Sequence, residues 1–173
     1  CFREALTTEN IKSSGIGALI EKQSFDNFEI GIYEGEDRKR MEYNLAYAKD
    51  YAKNFARDRG NLLLIGTTGT GKTHLSSAIA KEIIHLGFGV VYDSTQNILS
   101  DFENDRFKSG YGPHDNVSDK YLECDLLIID DLGTEYINQF TVSCLYNLIN
   151  TRILSVKISG EKKPSKFLKQ MVF

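Results

Sequence analysis

The sequence predicts an α/β fold, a central parallel sheet flanked by helices, and two stretches carry that prediction. The first is the apolar run Leu62-Leu63-Leu64-Ile65, followed directly by Gly66-Thr67-Thr68-Gly69-Thr70-Gly71-Lys72-Thr73. A continuous apolar run suits a buried parallel strand. The glycine-rich segment after it matches G-x-x-x-x-G-K-[ST], the phosphate-binding P-loop. The second stretch is Asp125-Leu126-Leu127-Ile128-Ile129-Asp130-Asp131, an apolar run ending in two carboxylates.

The remaining elements follow in chain order. Residues 36–58 read as a helix, with Met41, Leu45, Ala48 and Ala52 on one stripe and Tyr47, Tyr51 and Phe55 beside it. Gly60-Asn61 ends it and turns the chain into the P-loop strand. From His74 to Leu86 the apolar residues Leu75, Ala78, Ile79, Ile83 and Leu86 fall at helical spacing, and Gly87 is placed to stop that helix. Phe88 to Tyr92 reads as a second strand. Thr95 is a candidate cap for a helix to about Lys108, with Ile98, Leu99 and Phe102 inward. Ser109 to Ser118, with Gly110, Gly112 and Pro113, reads as loop. Gly133 to Arg152 reads as a turn plus helix, and Leu154 to Ile158 as a candidate short strand. One strand–helix unit separates the two motif strands, which leaves them able to be sheet neighbours with the Phe88–Tyr92 strand outside.

Composition narrows the class. The chain has 173 residues, 41% of them hydrophobic and 26% charged, as in one soluble globular domain with a substantial core. A net charge of −3 leaves no global nucleic-acid footprint. Cys1, Cys124 and Cys144 are scattered, so a reducing cytoplasm is the expected location. No apolar run approaches ~18 residues, so no membrane partner is expected. The chain begins with Cys rather than Met, which reads as a piece of a longer protein.

The P-loop defines the expected chemistry. Its glycines let the backbone fold into a nest whose N–H groups converge on a phosphate. Lys72 is placed to reach the β and γ phosphates, and the Thr73 hydroxyl to take one Mg²⁺ position. The positive end of the following helix faces the same anion. Asp130-Asp131 forms a Walker B pattern. Like charges at close range are costly, and a Mg²⁺ ion between them and the phosphates removes that cost. In that arrangement Asp130 holds Mg²⁺, and Asp131 orients or deprotonates the attacking water. Glu135 reads either as a further acid of the site or as a surface residue. The aromatic pair in Ser24-Phe25-Asp26-Asn27-Phe28 reads either as core packing or as a wall beside the base. A guanine-reading Asn-Lys-x-Asp motif does not occur, and a glutamine-type GTPase site is not indicated, so ATP is favoured over GTP.

Residues 61–75, from Asn61 through Gly-Lys-Thr-His-Leu75, and 125–135, with Asp-Asp-Leu-Gly-Thr-Glu, resemble the bacterial DnaC/DnaI-type replicative helicase loaders. Those are AAA+ ATPases, similar also to the ATPase partners of IS21-type transposases. Ser24 to Phe28 and Asn150-Thr151-Arg152 fit the same pattern. The resemblance covers roughly residues 20–152. It implies a C-terminally truncated AAA+ core with ATP/ADP and Mg²⁺ as ligands. It implies delivery of a ring-shaped replicative helicase onto single-stranded DNA, with subunits self-associating through their ATP sites. The implied nucleotide-binding set is Gly66, Thr67, Thr68, Gly69, Thr70, Gly71, Lys72, Thr73 and His74. Thr73 and Asp130 hold the metal, and Lys72 and Asp131 are catalytic.

The domain division that follows is a linker at 1–35 after a missing upstream module, an ATPase core at 36–152 and an atypical basic tail at 153–173. The resemblance extends to an upstream cysteine-rich zinc module found in many such loaders, and Cys1-Phe-Arg-Glu-Ala is a candidate end of one, with Cys1 a former ligand, but one cysteine cannot hold zinc, so no metal site of that kind is expected here. The family pattern also calls for a further strand ending in a polar sensor and for an arginine reaching a neighbour's γ phosphate. Ile153 to Phe173 matches neither and holds five lysines against one glutamate. Weak or absent ATP hydrolysis is therefore expected for this chain. Alternatives are a transposition ATPase that binds duplex DNA and a transposase, a nucleotide-binding fragment without turnover, and a small-molecule kinase with Arg106 as its thin lid candidate.

Overall fold

The computed structural model describes residues 17–55, 60–108, 116–158 and 166–172. Its elements, in chain order, are α1 (Gly17–Lys22), a 3₁₀ turn (Ile30–Ile32), α2 (Gly35–Lys53), β1 (Leu62–Gly66), α3 (Lys72–His85), β2 (Val90–Ser94), α4 (Thr95–Lys108), α5 (Asp119–Glu123), β3 (Leu126–Leu132), α6 (Gln139–Ile158) and β4 (Lys166–Val172). The strands form one parallel sheet in the order β1-β4-β3-β2.

That order corrects one expectation. β1 and β3, the two motif strands, are not neighbours, because β4 lies between them and pairs with both. β2 is outside, as expected, although it spans Val90 to Ser94 rather than Phe88 to Tyr92. The division of the chain's end changes as well. Leu154 to Ile158 continue α6 as helix, not as a strand, and residues 166–172 of the expected tail form a central strand. The first segment is also more than a linker, since it contributes α1, the 3₁₀ turn and the buried Phe25. Cys1 lies outside the described residues, as do 56–59, 109–115 and 159–165 of the expected helix, loop and tail.

Each face of the sheet has its own core. On one face α2 and α3 bury Leu45, Ala48, Tyr51, Ala52, Leu75, Ala78, Ile79 and Ile83 against Val90, Leu126 and Ile128. The stripe at 45, 48 and 52 is the one read from helical spacing, and burying each such side chain contributes roughly 1.5–3 kcal/mol for the larger aliphatics. On the other face Ile98, Tyr121 and Leu148 pack on Val91, Leu127 and Ile129. Among the described residues this second core includes none of β1. Leu63 and Ile65, expected to be buried, are therefore 46% and 62% exposed, while Leu62 and Leu64 pack on the first core.

Helix ends follow their local chemistry. Gly87, at φ +95°, closes α3. Its N–H donates to the Ile84 carbonyl, and that of Phe88 to the Ile83 carbonyl, a Schellman arrangement. Ser94, not Thr95, caps α4, because its Oγ accepts from the N–H of Asn97 at 3.2 Å. Thr95 instead donates to the Asp130 carbonyl at 3.1 Å and so ties α4 to the end of β3. Arg152 is fully buried and bolts α6 to the entry of β3. It donates to the carbonyls of Tyr121 (2.9 Å), Leu122 (3.2 Å) and Asp125 (3.4 Å), while burial pushes its pKa down.

Candidate functional site

β1 delivers the chain into the loop Thr67–Gly71, and α3 begins at Lys72. The turn between them requires glycine at two positions with left-handed backbone, Gly69 (φ +81°) and Gly71 (φ +78°). Gly71 is required for a second reason. A Cβ there would lie 2.9 Å from Phe28 Cε2 and 3.2 Å from the Tyr33 hydroxyl. Thr70 Oγ1 donates to the Thr67 carbonyl at 2.8 Å and holds the loop's shape. Lys72 is buried, and its Nζ donates to the carbonyls of Gly66 (2.8 Å) and Thr67 (2.7 Å). The ammonium is thus held inside the turn of the loop, where an anion would meet it.

The loop opens on a cavity of about 510 Å³ lined by Gln23, Thr68, Gly69, Gly71, Lys72, Thr73, His74, Asp131 and Thr134. This one space joins most of the sequence-predicted residues. Gly66, Thr67 and Thr70 line instead a second cavity of about 650 Å³ between α2 and the edge of β1. We assign the chemistry to the smaller cavity, because it alone brings the P-loop and a Walker B acid together.

Asp130 does not line that cavity. Its Oδ2 accepts a 2.6 Å hydrogen bond from the Tyr92 hydroxyl, and its Oδ1 accepts from the N–H of Asp131 at 2.9 Å. Asp131 is exposed and has φ +53°, the left-handed region that costs a non-glycine residue roughly 1–3 kcal/mol. From this position Asp131 lines the cavity that the P-loop also lines. Thr134 Oγ1 donates to the Asp131 carbonyl at 2.9 Å and braces the turn. Glu135 is not part of the cavity. It accepts from the Gly133 N–H at 2.7 Å and lines a separate groove with Gln96 and Asn138. Arg106 is exposed on α4 and lines neither cavity, so it supplies no lid.

The segment before α2 meets the P-loop through His74. The His74 ring, through Nε2, donates to the Ser24 carbonyl at 2.8 Å and to Asn27 Oδ1 at 3.0 Å. Asn27 in turn accepts from the Ser24 N–H at 2.8 Å, which closes the Ser24–Asn27 turn. Phe28 meets the His74 ring edge-on at 5.1 Å and stacks on Tyr33 at 6.5 Å. The core-packing reading of the aromatic pair is the one the contacts match, since Phe25 lies in the first core and Phe28 packs against it. Phe25 is core, and Phe28 roofs the start of α3. Sequence reasoning missed Tyr92 and Gln23, which neither motif includes. A tyrosine near the end of β2 was the one visible signal for Tyr92.

Oxygen ligands are what a magnesium ion takes, and Mg²⁺ is bound by one or two carboxylates with substrate phosphates and water rather than by an all-protein cage. Among the described residues no group of three His, Cys, Asp or Glu forms such a cage. The Thr73 hydroxyl with the carboxylates of Asp130 and Asp131 fits the ion's chemistry.

Fold and sequence motif together define an α/β protein of the P-loop class, with a parallel sheet flanked by helices. The chain belongs to the family of IstB-like ATP binding proteins, whose sequence profile matches residues 11–159. It is similar to the replicative helicase loader DnaC of Buchnera aphidicola subsp. Baizongia pistaciae, at 29% identity over 152 residues. That match covers 85% of this chain and 57% of the relative. The DnaC loader of Escherichia coli (strain K12) is 26% identical over 147 residues, with the same coverage of 85% and 57%. The chain thus spans little more than half the length of these curated relatives. The crystal structure of a DnaC helicase loader shares the fold, with a TM-score of 0.69 at 18% identity, covering 89% of this chain and 79% of that one. Among the described residues no helix is long and apolar enough to cross a membrane.

Proposed function

We propose that this chain binds Mg²⁺–ATP between the P-loop and Asp131, as the nucleotide-binding core of a replicative helicase loader that works in the cytoplasm. The observation that carries the reading is the single cavity lined by Lys72, Thr73 and Asp131. The loop's backbone N–H groups and the start of α3 bind the phosphates. Lys72 exchanges its two carbonyl partners for phosphate oxygens. Thr73, in the cavity lining, and Asp130, beside Asp131 at the end of β3, would hold Mg²⁺, which would supply positive charge to the phosphate oxygens. Asp131 would accept a proton from the water whose oxygen bonds to the γ phosphorus as the bond to the bridging oxygen breaks and ADP leaves.

The loader part of the reading is supported by the DnaC relatives, which are replicative helicase loaders. In it the chain hands a helicase ring to single-stranded DNA and self-associates through its ATP sites. Membership of the IstB-like family supports a second reading, an ATPase that serves a transposase on duplex DNA. Co-purification with each partner separates them. ATP-dependent capture of a replicative helicase is the expected result, and capture of a transposase alone would select the second reading.

A further inference from the structure

We propose that Tyr92 is a positioning residue for Asp130, one that aims the metal-holding carboxylate and so governs the Mg²⁺ dependence of nucleotide binding. The inference rests on the Mg²⁺–ATP reading of the site. Tyr92 is 7% exposed and sits on β2, which pairs in parallel with β3 so that Ser94 lies opposite Asp130. From there its hydroxyl reaches forward to Asp130 Oδ2 at 2.6 Å. That separation falls in the range of a charge-assisted O–H···O⁻ bond. Ser76 Oγ stands 3.4 Å from the phenol oxygen of Tyr92 and also donates to the Thr73 carbonyl at 3.0 Å. The phenol is thus wedged between the first turn of the P-loop helix and the Walker B acid.

The consequence follows from geometry. The Asp131 N–H holds one oxygen of the Asp130 carboxylate and Tyr92 holds the other, so the carboxylate plane has one orientation. Without the phenol oxygen, the carboxylate turns about its last bond and must be re-ordered whenever the ion binds. Partners that orient a metal ligand in this way are typically worth 10–100-fold in metal affinity. Phosphate binding itself does not pass through Tyr92, because the loop N–H groups and Lys72 are untouched.

Tyr92→Phe removes one oxygen and keeps the ring. The measurement is binding of a fluorescent ATP analogue to the chain across a MgCl₂ titration and in EDTA. The expected result is a Mg²⁺ midpoint raised roughly 10–100-fold with affinity in EDTA unchanged. In an Asp130→Asn background the same substitution should have no further effect on the midpoint. An unchanged midpoint, an equal loss with and without Mg²⁺, or loss of the fold on removing this one oxygen would each overturn the proposal. A wild-type chain that binds no nucleotide would instead overturn the site reading on which it stands.

Discussion

His74 Nε2 donates to the Ser24 carbonyl oxygen at 2.8 Å, joining two positions 50 residues apart. The bond fastens the Gln23–Phe28 turn to the first turn of the P-loop helix, and Gln23 shares the cavity with the loop. In the proposed ATP site, Gln23 is thus a part of the cavity wall whose placement depends on His74, beside the loop proposed to take the phosphates. His74→Ala should weaken ATP binding by about fivefold, the order of one lost hydrogen bond. Binding of inorganic tripolyphosphate should not change. Competition titrations with both ligands check this, and an equal loss for both would contradict it.

Gly71 carries a second, steric consequence of the same contact. Alanine there meets Phe28 Cε2 at 2.9 Å and must hold a left-handed backbone. The backbone term alone is about 1–2 kcal/mol. Thermal denaturation of Gly71→Ala should show a midpoint lowered by roughly 2–8 °C. A midpoint equal to wild type would mean that the roof over the loop is not formed in solution.

The P-loop and the paired acids were legible in the sequence because each is a run of neighbouring residues with a local chemical meaning. The stripe on α2 was legible for the same reason, since helical spacing reports burial directly. What was not legible depends on distant pairing. Residues 166–172, Lys-Phe-Leu-Lys-Gln-Met-Val, lack the unbroken apolar run that marked β1 and β3, and only the pairings with both neighbours reveal a central strand. The Tyr92–Asp130 bond spans 38 positions and needs the β2–β3 register to be seen. Leu63 and Ile65 read as buried because their run is apolar, but they are exposed, and among the described residues the second core includes none of β1.

Alkaline pH should destabilise the chain in a defined window. Burial pushes the Cys144 thiol from 9.0 to about 11. Between those values the unfolded chain has lost this proton and the folded chain still holds it, so stability is full below pH 9 and falls as pH rises toward 11. Burial raises the phenols of Tyr51 and Tyr121 as well, and their contribution, of the same sign, begins above pH 10. The melting temperature should be lower at pH 10.5 than at pH 8, and the drop smaller in Cys144→Ala. A flat or rising profile would contradict the assignment.

Turnover should be weak for the chain by itself. Among the described residues the cavity holds one lysine and no arginine to meet the charge that develops on a transferring phosphoryl group. An arginine supplied by another subunit is worth roughly 10³–10⁵ in rate where it operates. Steady-state phosphate release should therefore be near background while ATP is bound. Robust turnover that does not vary with protein concentration would overturn this expectation.

The central claim is that the cavity joining the P-loop to Asp131 is an ATP site. Isothermal titration of the chain with Mg²⁺–ATP, beside Lys72→Ala, tests it most directly. The account predicts one saturable site in the wild-type chain and no measurable binding once the Lys72 ammonium, now held by the Gly66 and Thr67 carbonyls, is removed. Equal ATP affinity in the two proteins would contradict it.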